Sequence, residues 1–381
     1  MLEKPKAQVW NREHFGNILV KKKRLLARLL GIQKALANSP NLFLVNLNKQ
    51  LQGELNKVLN NEEELWAMKS RINWMIQGDR NTSFYHVSTL IRRKHNKILS
   101  IKDGQGEWIF EQSAVMDFIQ NHFRNLFSSE MLFSSKQASF THADAPRLSN
   151  SDVQTLSLLV LDDEIKNALW SLKPFKSPGL DGIHAGFYQR FWLLVKDSVT
   201  NEIKKVFRVR KVPAYLNQTH IALTPKIKGP ETIGNYRPIS LCNSVYKIIS
   251  KNIVTRIRPQ LDKLVSPFQT AFVPSRKGID NAIIVQEIIH TDGRKSGKVG
   301  NMVIKIDLEK AYDKFECSFI RDVLHATNFP SEMIQLIMSC VSSSIASILV
   351  NGGALDLFSP QEESIRAILC LLIFSSFVWK F

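Results

Sequence analysis

The segment Val303-Ile-Lys-Ile-Asp-Leu-Glu-Lys-Ala-Tyr-Asp-Lys-Phe-Glu316 constrains the fold more than any other stretch of the chain. A short apolar strand runs into a carboxylate, Asp307, and a helix-compatible run carrying Asp313 follows. A strand fixes its last residue, so a carboxylate at the tip can face a cleft and take a divalent cation. The same placement also suits an aspartate that only caps the next element.

The first hundred residues carry a different signal. Leu47, Leu51, Leu55 and Leu59 recur every four residues, and Leu65, Trp66, Lys69 and Ile72 extend the stripe. That spacing predicts amphipathic helices paired for packing. Asp103-Gly104 between apolar flanks predicts a short hairpin over 101–110, followed by a helix over 113–127. Residues 128–150 are Ser-rich and read as a linker. Asp162, Asp163 and Glu164 open the next helix, and first-turn acids explain them better than a metal site does. Residues 173–184 hold two prolines and two glycines and predict a rigid loop. Helices are expected over 187–210, 244–258 and 281–290, and strands over 221–225 and 303–307.

Charge narrows the partner. Lys and Arg number 51 against 34 Asp and Glu, a net charge of +17. Residues 201–260 alone hold twelve basic and two acidic residues, and a second basic cluster runs from Lys69 to Lys97. Such an excess points to a polyanion, most simply nucleic acid. Cys242, Cys317, Cys340 and Cys370 show no close pairing, which excludes a disulfide scaffold and a CxxC zinc site and fits a reducing compartment. Met1–Trp10 has no apolar core of a secretory signal. The longest apolar run, Ala367–Trp379, is too short to span a bilayer, so no membrane partner is expected.

Four segments in order complete the pattern: Ala222-Leu-Thr-Pro-Lys-Ile-Lys228, Asn235-Tyr-Arg-Pro-Ile-Ser-Leu241, Gln269-Thr-Ala-Phe-Val-Pro-Ser-Arg276 and the Asp307 segment. Together they resemble the fingers and palm of reverse transcriptases of non-LTR (LINE-type) retrotransposons. Ser177-Pro-Gly-Leu-Asp-Gly182 resembles the segment that precedes them in that family. The stretch from Trp66 through Lys69-Ser-Arg71 and Gly78-Asp-Arg-Asn-Thr82 to Phe84-Tyr-His86 resembles the linker ahead of the polymerase in plant elements, and sets the chain apart from group II intron maturases.

The resemblance implies an α+β chain. A helical region (1–127) and a linker (128–150) precede right-hand polymerase fingers with an incomplete palm (151–360), and 361–381 form an out-of-family tail. It implies an RNA-directed DNA polymerase that takes an RNA template, a DNA primer and deoxynucleoside triphosphates. Asp307 would be the catalytic carboxylate, binding Mg²⁺ with Ile306 and Leu308 flanking it. Tyr312 would lie under the sugar of the incoming nucleotide and reject a ribose. Lys226 and Arg237 would grip the triphosphate. Ser177, Gly179, Asp181, Gln269 and Arg276 would contact nucleic acid.

The family supplies its remaining metal ligands from an aromatic-Ala-Asp-Asp hairpin, and residues 308–381 contain none. A thumb is also absent. Read one frame over, Gln361–Lys380 is compatible with the Gly-Asp-Pro-Leu-Ser-Pro segment expected next, so a frameshift near Pro360 is the expectation. The chain is therefore expected to be a truncated fragment with weak or no Mg²⁺ binding and lost catalysis. A basic nucleic-acid-binding remnant, or a transposon-derived product without function, is the alternative. The strand ending at Asp307 is expected to lack its partner and leave an exposed edge.

Overall fold

The computed structural model describes residues 16–70, 82–127, 146–265, 276–294, 317–343 and 345–359, with Val9, Arg12, Glu13 and Val273. The chain divides into two compact units, Met1–Ile98 and Leu99–Phe381.

The first unit is helical. α1 (Ile18–Asn38) starts where the Asn17 side chain accepts from the amides of Leu19 (2.9 Å) and Val20 (3.3 Å). α2 (Leu42–Ser70) returns after a short turn. Leu25, Leu29 and Ile32 of α1 bury against Leu51 of α2, with Leu47 and Leu55 packed around them. The four-residue leucine stripe is thus the inner face of a helical hairpin. Lys22 Nζ pairs with the buried Glu62 carboxylate at 2.6 Å. α3 (Thr82–His95) buries Tyr85 and Thr89, and its Arg92 donates to the last carbonyls of α2, Ser70 (2.8 Å) and Lys69. A guanidinium placed there satisfies acceptors that the helix itself leaves open.

The second unit is α+β and begins earlier than the sequence suggests. β1 (Ile101–Lys102) and β2 (Trp108–Ile109) form the expected hairpin, and α4 (Gln112–Leu126) the expected helix. The boundary expected at 127 falls instead between Ile98 and Leu99. The reason is aromatic packing: Phe127 stacks on Phe123 (6.2 Å) and packs at a tilt against Phe358 (5.8 Å), at the far end of this unit. The expected linker is also partly structural. Leu148 is buried, its amide donates to Thr327 O (3.0 Å), and its carbonyl accepts from Asn328 Nδ2 (3.1 Å).

α5 (Asn150–Ser157), α6 (Asp162–Trp170), α7 (Ala185–Arg190) and α8 (Trp192–Val209) follow. The predicted single helix over 187–210 breaks at Phe191, whose ψ of 25° leaves the helical range. β3 (Gln218–Pro225) and β4 (Tyr236–Cys242) pair antiparallel from Thr219↔Cys242 to Pro225↔Tyr236. α9 (Ser244–Ile257), α10 (Leu261–Leu264), α11 (Gly278–Gly293), α12 (Cys317–Ala326) and α13 (Ser331–Ser342) lead to β5 (Ile345–Val350) and β6 (Gly353–Ala354). The sheet order is β4-β3-β5-β6, with β3 and β5 parallel. Ile221, Leu223, Tyr236, Ala346, Ile348 and Val350 line its buried face. Arg237 and Ile239 stand on the other face. Among the described residues no helix is long and apolar enough to cross a membrane. The strand expected to end at Asp307, with its exposed edge, lies outside the described residues, as does the tail 361–381.

α9 is read from sequence as a basic helix, and the structure makes it the core. Ile248, Ile249, Ile253 and Ile257 are buried, packed in one cluster with Ile334, Leu336 and Ile337 of α13. Its arginine is spent internally. Arg256 forks onto Glu164 (Nε–Oε1 2.9 Å, Nη2–Oε2 2.8 Å) and also reaches the carbonyls of Leu158 and Leu159. The first-turn acids of α6 behave as expected: Glu164 accepts from the Leu161 amide (2.8 Å) and Asp162 pairs with Lys204 (2.6 Å).

Burial opposes ionisation of Glu164, but the Arg256 guanidinium and the Leu161 amide outweigh it and hold its carboxyl below the ordinary value. A depressed carboxyl adds stability that is complete above the unfolded value, about pH 4, and is lost as pH falls through the folded one. Arg256→Met should lower unfolding stability by about 2–3 kcal/mol at neutral pH. Urea unfolding of the parent and Glu164→Gln should differ at neutral pH and converge at about pH 2; a gap that persists in acid would show that the ion pair is not its source.

Candidate nucleic-acid and nucleotide interface

The β3–β4 turn brings two cations to one place. Strand alternation puts Ile221, Leu223 and Tyr236 on the buried side, and Thr224 and its cross-strand partner Arg237 on the open side. Lys226 continues that alternation. Its amide donates to Asn235 O (2.8 Å), extending the ladder one pair beyond Pro225, and its Nζ donates to Gly234 O (2.9 Å). Arg237 is exposed, and among the described residues its guanidinium makes no hydrogen bond or ion pair. Buried Tyr236 anchors the strand beside it.

The turn is held stiff. Asn235 Oδ1 accepts from the amides of Glu231 (3.1 Å) and Thr232 (3.0 Å) and from Thr232 Oγ1 (3.1 Å). The β1–β2 hairpin braces it from outside: Lys102 N donates to Glu231 O at 2.7 Å, and Lys102 Nζ pairs with Glu231 Oε2 at 2.6 Å. An arginine and a lysine on one open face of a braced hairpin suit phosphate oxygens, the arginine through its two-pronged, charge-assisted donors.

The 173–184 loop forms a second locus. Gly179 sits so close to the chain that a Cβ would lie 2.4 Å from both Asn243 N and Asn243 Oδ1, so only glycine fits. Asp181 closes a turn, accepting from Ile183 N (3.0 Å), and its own amide donates to Asn243 Oδ1 (3.2 Å). Ser177 O accepts from Lys247 Nζ (3.2 Å), and Ile183 O from Ser244 Oγ (2.7 Å). Burial pulls the Lys247 ammonium below its ordinary value, against the opposing pull of Cys242 and Asp181. Burial likewise pushes up the Cys242 thiol and the Tyr188 hydroxyl. Exposed Lys173 and Lys176 flank the loop's outer turn.

The structure therefore brings Ser177, Gly179 and Asp181 together at the start of α9, and Lys226 with Arg237 at the hairpin. Arg276 stands elsewhere: its Nη2 holds Asp262 Oδ1 (3.2 Å) and Val265 O (3.3 Å), tying the chain to α10. Gln269, Ile306, Asp307, Leu308 and Tyr312 lie outside the described residues. Among the described residues no group of three His, Cys, Asp or Glu side chains is placed to hold a metal ion. Sequence reasoning missed Asn243. Its amide accepts from the loop and donates to Tyr215 O (3.2 Å) and Leu216 O (3.3 Å). An asparagine just ahead of a helix reads as a helix cap, yet its side chain caps nothing.

Residues 225–362 match the reverse transcriptase (RNA-dependent DNA polymerase) family, beginning at the β3–β4 turn. The chain is similar to the uncharacterized 149 kDa protein of transposon TX1 from Xenopus laevis, 25% identical over 302 residues, 78% of this chain and 23% of that protein. It is also similar to an RNA-directed DNA polymerase from mobile element jockey of Drosophila funebris, 22% identical over 248 residues, 63% of this chain and 26% of the relative. The chain thus carries a reverse-transcriptase segment of the mobile-element kind, and it spans about a quarter of the length of these relatives.

Asn243→Ala should leave two carbonyls and the Asp181 amide without partners and lower stability by about 2–4 kcal/mol. Gly179→Ala should cost a comparable amount by overpacking, about 1–3 kcal/mol or more. Thermal melts of both variants check this; an unchanged melt for Gly179→Ala would mean that the loop is not seated on Asn243.

Proposed function

We propose that this chain supplies the fingers and part of the palm of the reverse transcriptase of a plant-type non-LTR retrotransposon, and that it binds an RNA template, a DNA primer and deoxynucleoside triphosphates. One observation carries the reading: Lys226 and Arg237 share the open face of a braced hairpin at the start of the family match. Arg237 forks onto the phosphates, and Lys226 adds a compact charge beside it. Ser177, Gly179, Asp181, Gln269 and Arg276 form the proposed path of the nucleic-acid backbone. Because Gly179 and Asp181 are engaged in seating the loop, their part in that path is to present main chain and the neighbouring Lys173 and Lys176, not their own side chains.

In this reading Asp307, flanked by Ile306 and Leu308, is the Mg²⁺ ligand and Tyr312 the sugar-selecting ring. When bound, Mg²⁺ would be held by Asp307 and would supply the Lewis-acid chemistry that the family uses for nucleotidyl transfer. The described residues contain no set that completes such a site, so the chemistry assigned to them is binding and orientation. A second reading rests on the exposed cations alone: the chain binds nucleic acid through them and does not itself extend a primer.

Gel shifts with a single-stranded RNA should show affinity falling steeply with salt, as phosphate binding requires. Lys226→Ala should weaken binding across all sequences and reduce the salt slope by about 1. Arg237→Ala should weaken deoxynucleoside triphosphate binding about 10- to 100-fold, the worth of a charge-assisted contact. Salt-independent binding, or a neutral Arg237→Ala, refutes the assignment. A primer-extension assay with Mg²⁺ separates the two readings: product formation sinks the second.

A further inference from the structure

The β1–β2 hairpin that braces the turn has one buried face and one open face. Ile101 is fully buried and pairs with Ile109. Such a small hairpin needs only that face to stay docked, and polar residues would normally cover the other. Instead the open face carries a row of three. Lys102 stands directly across from Trp108, with its Nζ 4.9 Å from the centre of the indole ring. Phe110, two residues on, lies nearly parallel to that ring, 26° between planes and 6.1 Å between centroids. Trp108 is 40% exposed and Phe110 71% exposed. The row thus runs from ammonium to indole to phenyl and ends in an uncovered aromatic face.

We propose that Trp108 and Phe110 form a stacking platform for unpaired bases of a single-stranded nucleic acid running past the β3–β4 turn. The inference rests on the nucleic-acid reading above and names the contact that reading lacks. Aromatic faces beside a cationic surface are what sequence-tolerant single-strand binders use, because every base has a π-face. The cations are here: Lys226, Lys228 and Arg237 are exposed on the turn and the strand that follows it. Lys102 fixes the geometry twice, through its bonds to Glu231 and its seat over Trp108. The nearby acids do not oppose a strand fully. Glu231 is neutralised by Lys102, and Asp103 Oδ1 is taken up by the amides of Gln105 and Glu107, both at 2.9 Å. Glu107 remains as the one exposed acid within the hairpin, so the platform reads bases while the cations of the turn carry the backbone. A duplex, whose bases are already stacked inside, gains nothing from such a surface.

The test uses the full chain and a labelled 12-nucleotide single-stranded RNA, with an RNA duplex of equal length as control. Phe110 is mostly exposed, so its variants keep the fold, and a thermal melt verifies that. Phe110→Leu keeps apolar bulk without a π-face and should weaken single-strand binding roughly 5- to 150-fold, the range for one stacked base. Phe110→Tyr should bind like the parent, and duplex affinity should be unchanged throughout. Trp108→Ala should act in the same direction as Phe110→Leu. If the parent binds RNA but Phe110→Leu and Trp108→Ala bind it equally well, the platform is overturned while the nucleic-acid reading stands. If Phe110→Leu weakens duplex and single strand alike, the residue is not a stacking site. If the parent binds no RNA, both fall.

Discussion

The second unit depends on the buried amide of Asn243. Three segments far apart in sequence meet there: the 177–184 loop, the Tyr215–Leu216 approach to β3, and the junction of β4 with α9. An amide side chain offers an acceptor and two donors in one plane, and here the acceptor goes to the loop and the donors to the strand entry. Because the residue is 3% exposed, water cannot replace any of these partners. The absent side chain at Gly179 lets the loop approach closely enough for the bond to form. Asn217, next to Leu216, repeats the device, its Nδ2 donating to Cys340 O (2.9 Å) and to Ser343 Oγ (3.0 Å). Together the two asparagines connect the start of β3 to α9 on one side and α13 on the other.

This arrangement changes how the basic surplus should be understood. A run of lysines and arginines suggests a polyanion surface, but part of the 201–260 cluster is consumed inside the unit. Arg256 holds α6 against α9, Lys204 pairs with Asp162, and Lys247 fastens Ser177 O. What stays exposed includes Lys226, Lys228 and Arg237 on and around the β3–β4 turn, together with Lys205, Arg208, Lys211 and Arg258 elsewhere on the unit. Local density of uncommitted charge, more than the net value of +17, is what a phosphate backbone would sense within a Debye length of about 10 Å.

Much of this was legible in the sequence because it is local. The leucine stripe around Leu51, the Asp103-Gly104 turn and the acids opening α6 each depend on neighbours within a few residues, and periodicity and end effects report such neighbours well. The division at Ile98 depends on distant contacts, such as Phe127 on Phe358, which no local pattern encodes. Lys226 and Arg237 were singled out by the family resemblance of their segments, and the hairpin that carries both was not expected from the sequence. Asn243 was not, because its value lies in three partners from elsewhere in the chain. Arg276 carries a basic side chain in a recognisable segment, yet its guanidinium is committed to Asp262 and Val265.

The sheet itself explains why the β3–β4 turn needs a brace. β3 is flanked on both sides only from Thr219 to Ala222, where β5 pairs with it as well as β4. From Leu223 onward β3 and β4 stand as a two-stranded ribbon, and such ribbons are marginal in water. The turn that carries Lys226 would therefore fray if left alone. Asn235 tightens it from within, and the β1–β2 hairpin adds a third stretch of backbone through Lys102 and Glu231. Residues 99–110 are consequently part of the same mechanical device as the turn, although the family match begins only at Pro225. A hairpin that stiffens the turn proposed to grip phosphates lies beside any strand that turn would hold, which is where an exposed indole and phenyl are most useful.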